Sequence, residues 1–254
     1  MAIEPGWKVT HKSATNLARW DVVRTNDLKN VKDKLPKLGT DKELTIIDVG
    51  ANTGAFAELM LNESPYKFKR VLLFEPVPLY ARWAAFKFSC LLEDPSVEVM
   101  EYALSDEKGI GKIAVNNKNS NFGRNTMVED WQKDCSDSTI NVPIVTFDEI
   151  RPAFQLDGID LIKIDVEGYE VNVLNGMRET LKSLKPTIAV KITNGSKHHD
   201  MNNLKIALNN LKDLGYVFDS IDKWPEGSFD LVVTQPGSVF EERPKKGKEE
   251  LIEV

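Results

Sequence analysis

The chain has 254 residues, 41% of them apolar, which fits one large domain or one domain with small appendages and a core that needs no staples. Lys and Arg number 33 against 39 Asp and Glu, a net charge of −6 that argues against grip on nucleic acid through a basic surface. Two cysteines, Cys90 and Cys135, make no disulfide framework, no apolar run approaches the ~18 residues of a membrane span, and the opening residues lack the layout of a secretion signal. The expectation is a cytoplasmic protein.

In chain order, residues 1–43 read as an N-terminal helical cap, with Leu17, Trp20, Val23, Leu28 and Val31 near helical spacing. From 44 onwards, β-rich runs alternate with amphipathic stretches. Strands are expected at 44–49, 71–75, 97–102, 159–165, 187–193, 216–221 and 229–233, and helices at 53–62, 79–92, 169–184 and 202–214. The pairs Ile46-Ile47 and Val71-Leu72-Leu73-Phe74 are apolar on both pleat faces, as in a parallel sheet covered by helices on both sides. The pattern predicts an α/β fold with one doubly wound, mostly parallel sheet over residues 44–235. An insertion at 106–146 interrupts it, with two strands (109–115 and 140–146) flanking a polar stretch that is either a lid or disordered. Residues 236–254 form a charged tail.

The stretch Asp48-Val49-Gly50-Ala51-Asn52-Thr53-Gly54-Ala55-Phe56 takes a buried strand through a glycine turn into a helix. Gly50 and Gly54 leave room where a ligand meets backbone, and the helix start offers N–H groups to a carboxylate. An acid at Asp48 repels a pyrophosphate but suits an ammonium group, and S-adenosyl-L-methionine carries both an α-ammonium and a carboxylate. Glu75-Pro76 ends the next strand, where a carboxylate accepts from two ribose hydroxyls. Tyr102 and Ala103 follow the third strand, placed to border an adenine. The cofactor set is therefore Asp48, Gly50, Ala51, Asn52, Thr53, Gly54, Phe56, Glu75, Pro76, Tyr102, Ala103 and Asp165.

These residues also carry a resemblance. Ile47 to Gly54, Phe74-Glu75-Pro76, Ala103-Leu104-Ser105-Asp106, Val145-Thr146-Phe147-Asp148 and the run Ile159 to Glu170 resemble the motifs of the FkbM-type S-adenosylmethionine-dependent methyltransferases over about residues 44–220. The resemblance implies a seven-stranded class I methyltransferase fold whose members mostly O-methylate hydroxyls on sugars and polyketide-like metabolites. One departure stands out: where the family usually has a Glu in the fifth strand, this chain has Lys191.

For transfer to a hydroxyl, something must accept its proton. Asp165, ending the fourth strand of the central sheet at the switch point, is the first candidate; Glu167 is the second. Lys191 is costly to bury alone and is expected to pair with Asp165 or Glu167. The plain alternatives are a cofactor-binding Asp165, a Glu167 that merely starts a helix, and a Lys191 reaching to water. His198-His199, Asn194 and a lid carrying Phe122 and Trp131 are lesser candidates, and no His/Cys cluster has metal spacing. The reading is an O-methyltransferase acting on a sugar hydroxyl of a glycan or glycosylated metabolite. The alternatives are a ribose 2′-O-methyltransferase built on a Lys-Asp-Lys-Glu tetrad, a catalytically silent S-adenosylmethionine-binding scaffold, and a nicotinamide oxidoreductase.

Overall fold

In the computed structural model the described residues are 43–92, 94, 96–115, 125–129, 138–192, 202–223 and 229–235. The N-terminal cap up to residue 42, the charged tail, Asn194, His198, His199, Phe122, Trp131 and Cys135 lie outside them.

Two-faced apolar strands build the centre. β1 (Glu43–Val49) sends Leu44 and Ile46 to one face and Ile47 and Val49 to the other. β2 (Lys67–Phe74) divides Val71 and Leu73 from Leu72 and Phe74 in the same way. A strand apolar on both faces needs cover on both, and the chain provides it. α1 (Ala55–Glu63) follows β1; α2 (Pro78–Phe86), continued by a π-helical turn Lys87–Leu91, follows β2. Then come β3 (Val97–Met100), β4 (Ala103–Leu104), β5 (Gly109–Ala114), β6 (Thr139–Val145), α3 (Phe147–Ile150), a 3₁₀ turn Arg151–Phe154 and β7 (Leu161–Ile164). α4 (Glu170–Asn175), α5 (Arg178–Leu184), β8 (Thr187–Ile192), α6 (Asn202–Asp213), β9 (Val217–Lys223) and β10 (Phe229–Thr234) complete the described chain.

The main sheet has seven strands in the order β3-β2-β1-β7-β8-β10-β9. The first five are parallel, and β10 runs antiparallel to both β8 and β9. From β1 the chain works outward through β2 to β3, while β7 and β8 build the other half. The order therefore reverses between β1 and β7, the position at which doubly wound sheets open a crevice at their carboxyl ends. The expected insertion strands pair antiparallel as β5 and β6, and with β4 they form a separate three-stranded sheet in the order β4-β6-β5.

The expected helix at 169–184 is two helices. At the break, Gly176 packs on the backbone of Ser105, where a Cβ would come within 1.7 Å of the Ser105 carbonyl oxygen. The Gly176 carbonyl accepts instead from Asp148 N (3.0 Å), and the Asp148 carboxylate caps the restarted helix, taking Glu179 N and Thr180 N, each at 2.8 Å. The stretch Val145-Thr146-Phe147-Asp148 is thus architectural. Thr146 Oγ1 caps α3 by accepting from Glu149 N (3.2 Å), and Phe147 is fully buried, edge-on to Phe74 at 5.9 Å between ring centroids.

Candidate active site

At the switch point the chain leaves β1 through three residues in left-handed backbone: Gly50 (φ 74), Asn52 (φ 53) and Gly54 (φ 79). Gly50 N and Ala51 N both donate to the Phe74 carbonyl, at 2.9 and 3.1 Å. A Cβ on Gly50 would sit 2.1 Å from the Asp165 carbonyl oxygen, so the turns after β1 and β7 meet backbone to backbone and only glycine fits. Gly54 is different. Its missing side chain leaves room for the ring of Phe88, 2.6 Å from where a Cβ would be, so packing rather than ligand approach requires it.

An open cleft lies over this turn. It is lined by Gly50, Asn52, Asp165, Val166, Glu167 and Tyr169, by Glu75, Pro76, Tyr102, Ala103 and Leu104, and by Ile113, Asn125 and Met127. Glu75 is 5% exposed, and its oxygens accept from Asn52 N and Val77 N, each at 2.8 Å. Burial pushes its carboxyl up to about 7, against the lowering effect of those two N–H groups and of Lys163. Each carboxylate oxygen has two lone pairs, so one bond to each leaves capacity for two hydroxyls.

The Lys191 ammonium lies 3.8 Å from Asp165 Oδ1 and 3.6 Å from Glu167 Oε1. The pairing expected of Lys191 is therefore present with both acids at once. Glu167 itself sits in left-handed backbone (φ 51) ahead of Gly168 (φ 100), the turn that brings its carboxylate to the cleft beside Asp165. Glu170, fully buried at the start of α4, accepts the Gly168 N–H at 2.9 Å. Burial pushes its carboxyl up to about 8, partly offset by that N–H, with Glu167 and Asp165 adding to the rise.

The structure corrects the reading of Asp48. Its carboxylate is 0% exposed and is not on the cleft wall; Oδ1 accepts from Lys163 Nζ at 2.9 Å. Lys163 also donates to the Gly50 carbonyl (3.3 Å), stands 4.0 Å from Asp165 Oδ2 and sits over the Phe56 ring at 5.9 Å. The negative charge expected to await a ligand amine is instead matched by a buried lysine. Ala51, Thr53 and Phe56 are buried behind the turn rather than on the wall, where Thr53 N bonds Asn52 Oδ1 at 2.9 Å. Gly50, Asn52, Glu75, Pro76, Tyr102, Ala103, Asp165 and Glu167 do line the cleft, and Lys191 stands behind its two acids. Sequence reasoning missed Lys163, the buried role of Glu170 and the contribution of Met127; Asn125 belongs to the polar stretch read as either a lid or disordered. A signal existed for the lysine, since it interrupts the buried apolar run Leu161-Ile162-Lys163-Ile164.

The donor set fits S-adenosylmethionine. Glu75, buried with each oxygen already taking one backbone N–H, offers acceptors suited to a ribose. The family model for the methyltransferase FkbM domain matches residues 48–218. Among solved structures the chain is similar to an FkbM methyltransferase from Methylobacillus flagellatus KT, at 16% identity and a TM-score of 0.53, over 75% of this chain and 43% of that one. The chain thus spans less than half the length of that protein, and the likeness is one of fold. More distantly it is similar to a SAM-dependent methyltransferase from Aquifex aeolicus (13% identity, TM-score 0.41, 81% and 87% of the two chains). TYW2 of M. jannaschii in complex with AdoMet stands at a similar distance (11% identity, TM-score 0.42, 91% and 77%). No curated protein matches the sequence significantly. With two thirds of its length matched by that family model, the chain belongs to the FkbM methyltransferases, and its cofactor is S-adenosyl-L-methionine.

Proposed function

We propose that this methyltransferase transfers its methyl group to a hydroxyl, that of a sugar in a glycan or glycosylated metabolite. The observation that carries the reading is the pair of carboxylates, Asp165 and Glu167, held at the cleft by one lysine. When bound, S-adenosylmethionine supplies an electrophilic methyl on a sulfonium. Glu75 and the Gly50 turn bind and orient it, with Tyr102 and Ala103 beside the adenine. Alignment of the acceptor oxygen supplies much of the rate, because the leaving group is good. The remaining task is the hydroxyl proton, and Asp165 accepts it at a carboxylate oxygen, assisted by Glu167. Lys191 pairs with both acids. Two cysteines in 254 residues accord with the cytoplasmic setting proposed for it.

A specific observation also brings forward ribose 2′-O-methylation. Lys163, Asp165, Lys191 and Glu167 form a contiguous lysine-aspartate-lysine-glutamate set. Lys163, however, is 4% exposed, is bonded to Asp48 and does not line the cleft, so it cannot meet an incoming hydroxyl. The sugar reading is therefore preferred.

The test incubates the protein with methyl-labelled S-adenosylmethionine and a panel of neutral mono- and oligosaccharides, with a short RNA transcript as a parallel arm. We expect label on a saccharide, lost by a factor of about 10² or more in Asp165→Asn and sharply reduced in Lys191→Met. Label on RNA alone supports the ribose reading. Binding of cofactor with no transfer in any arm supports a silent scaffold.

A further inference from the structure

The peptide that joins Glu167 to Gly168 is held from both ends. Its carbonyl oxygen accepts from Thr126 Oγ1 at 2.9 Å, and its N–H donates to Glu170 Oε1 at 2.9 Å. Both side chains are buried, Thr126 at 1% and Glu170 at 0% exposure. The threonine hydroxyl has its direction fixed, because its oxygen accepts from Val128 N (3.1 Å) and its hydrogen is left for Glu167. Its backbone is fixed as well, by reciprocal bonds with Ala114 on β5 (2.9 and 3.2 Å).

This matters because Glu167 has φ 51, a conformation that a residue with a side chain adopts only when its surroundings impose it. A rotation of the Glu167–Gly168 peptide plane would release both bonds together and loosen the turn that carries the Glu167 carboxylate, 3.6 Å from Lys191. We propose that Thr126 and Glu170 are positioning residues that lock this peptide, so that the short segment 125–129, whose Asn125 and Met127 line the cleft, holds the turn that presents the Glu167 carboxylate. The proposal rests on the reading that Glu167 faces the acceptor.

The test measures amide hydrogen exchange at Gly168, together with S-adenosylmethionine affinity and saccharide methylation, in wild type, Thr126→Val, Thr126→Ser and Glu170→Leu. Valine matches threonine in shape and lacks the hydroxyl, while serine restores it. We expect Gly168 exchange to accelerate roughly 5- to 10-fold in Thr126→Val and in Glu170→Leu, to return to the wild-type rate in Thr126→Ser, and cofactor affinity to stay unchanged in both Thr126 variants. Methyl transfer should fall in kcat in Thr126→Val and recover in Thr126→Ser. Equal Gly168 exchange in wild type and folded Thr126→Val overturns the lock, as does failure of serine to rescue it. If wild type methylates no saccharide, the acceptor assignment fails, while the exchange rates still decide the lock.

Discussion

Lys163 and Asp48 are register partners on neighbouring parallel strands, and their side chains meet at 2.9 Å with 5% and 0% exposure. Removing either charge takes away a buried counter-charge of the other. Lys163→Met leaves the Asp48 carboxylate buried without that cation, and we expect a loss of about 3–5 kcal/mol in urea unfolding. Lys163→Met combined with Asp48→Leu should recover most of it, because two apolar side chains leave no buried charge. A single variant as stable as wild type contradicts this account.

Glu75 presents carboxylate oxygens already bonded to Asn52 N and Val77 N. Glu75→Gln keeps the size but exchanges one acceptor oxygen for a donor, and S-adenosylmethionine affinity should fall by roughly 10- to 100-fold. The wild-type carboxyl titrates near 7 in the free protein, and hydroxyl donors favour its ionised form. Affinity should therefore rise with pH up to about 7 and level off above it. Isothermal titration at pH 6, 7 and 8 checks this, and Glu75→Gln should show no such rise.

Glu170 carries the opposite consequence for stability. Its carboxyl titrates near 8 when folded, against an ordinary value of 4.5. Between those limits the folded chain keeps a proton that the unfolded chain releases, so stability falls as pH climbs through that window. Glu75 acts in the same direction up to about 7. Each tenfold change in proton affinity is worth about 1.4 kcal/mol. We expect Tm to decline from pH 5 to pH 8 and the decline to be shallower in Glu170→Gln; identical slopes count against a protonated Glu170.

Asp148 caps α5 with both oxygens and also accepts from Thr180 Oγ1 at 2.5 Å. Asp148→Ala should cost about 1–2 kcal/mol in chemical denaturation. Cofactor affinity should be unaffected, since Asp148 is not on the cleft wall. A change in affinity with no change in stability reverses that assignment.

Much of the architecture was legible because its signals are local. Two-faced apolar runs marked β1 and β2. The elements of the cleft were also readable, since Gly50, Glu75, Tyr102 and Asp165 each follow a strand of the sheet. What sequence could not supply were contacts across long separations. Asp48 looked like a charge awaiting a ligand because its partner lies 115 residues away, and only the pairing of β1 with β7 joins them. The reasoning that found a partner for Lys191, that a strand lysine must be paired, applied with more force to Lys163. The break at Gly176 was hidden for the same reason, because the Ser105 backbone packed on it and the Asp148 that bonds its carbonyl come from other parts of the chain.

The seam between Gly50 and Asp165 makes the two halves of the site a single rigid ridge. With backbone touching backbone there, no side chain can be introduced at position 50. Diversity in what this enzyme accepts has to be written elsewhere, on the margin that Ile113, Asn125 and Met127 contribute. Re-engineering its choice of acceptor should begin at that margin and leave the ridge alone.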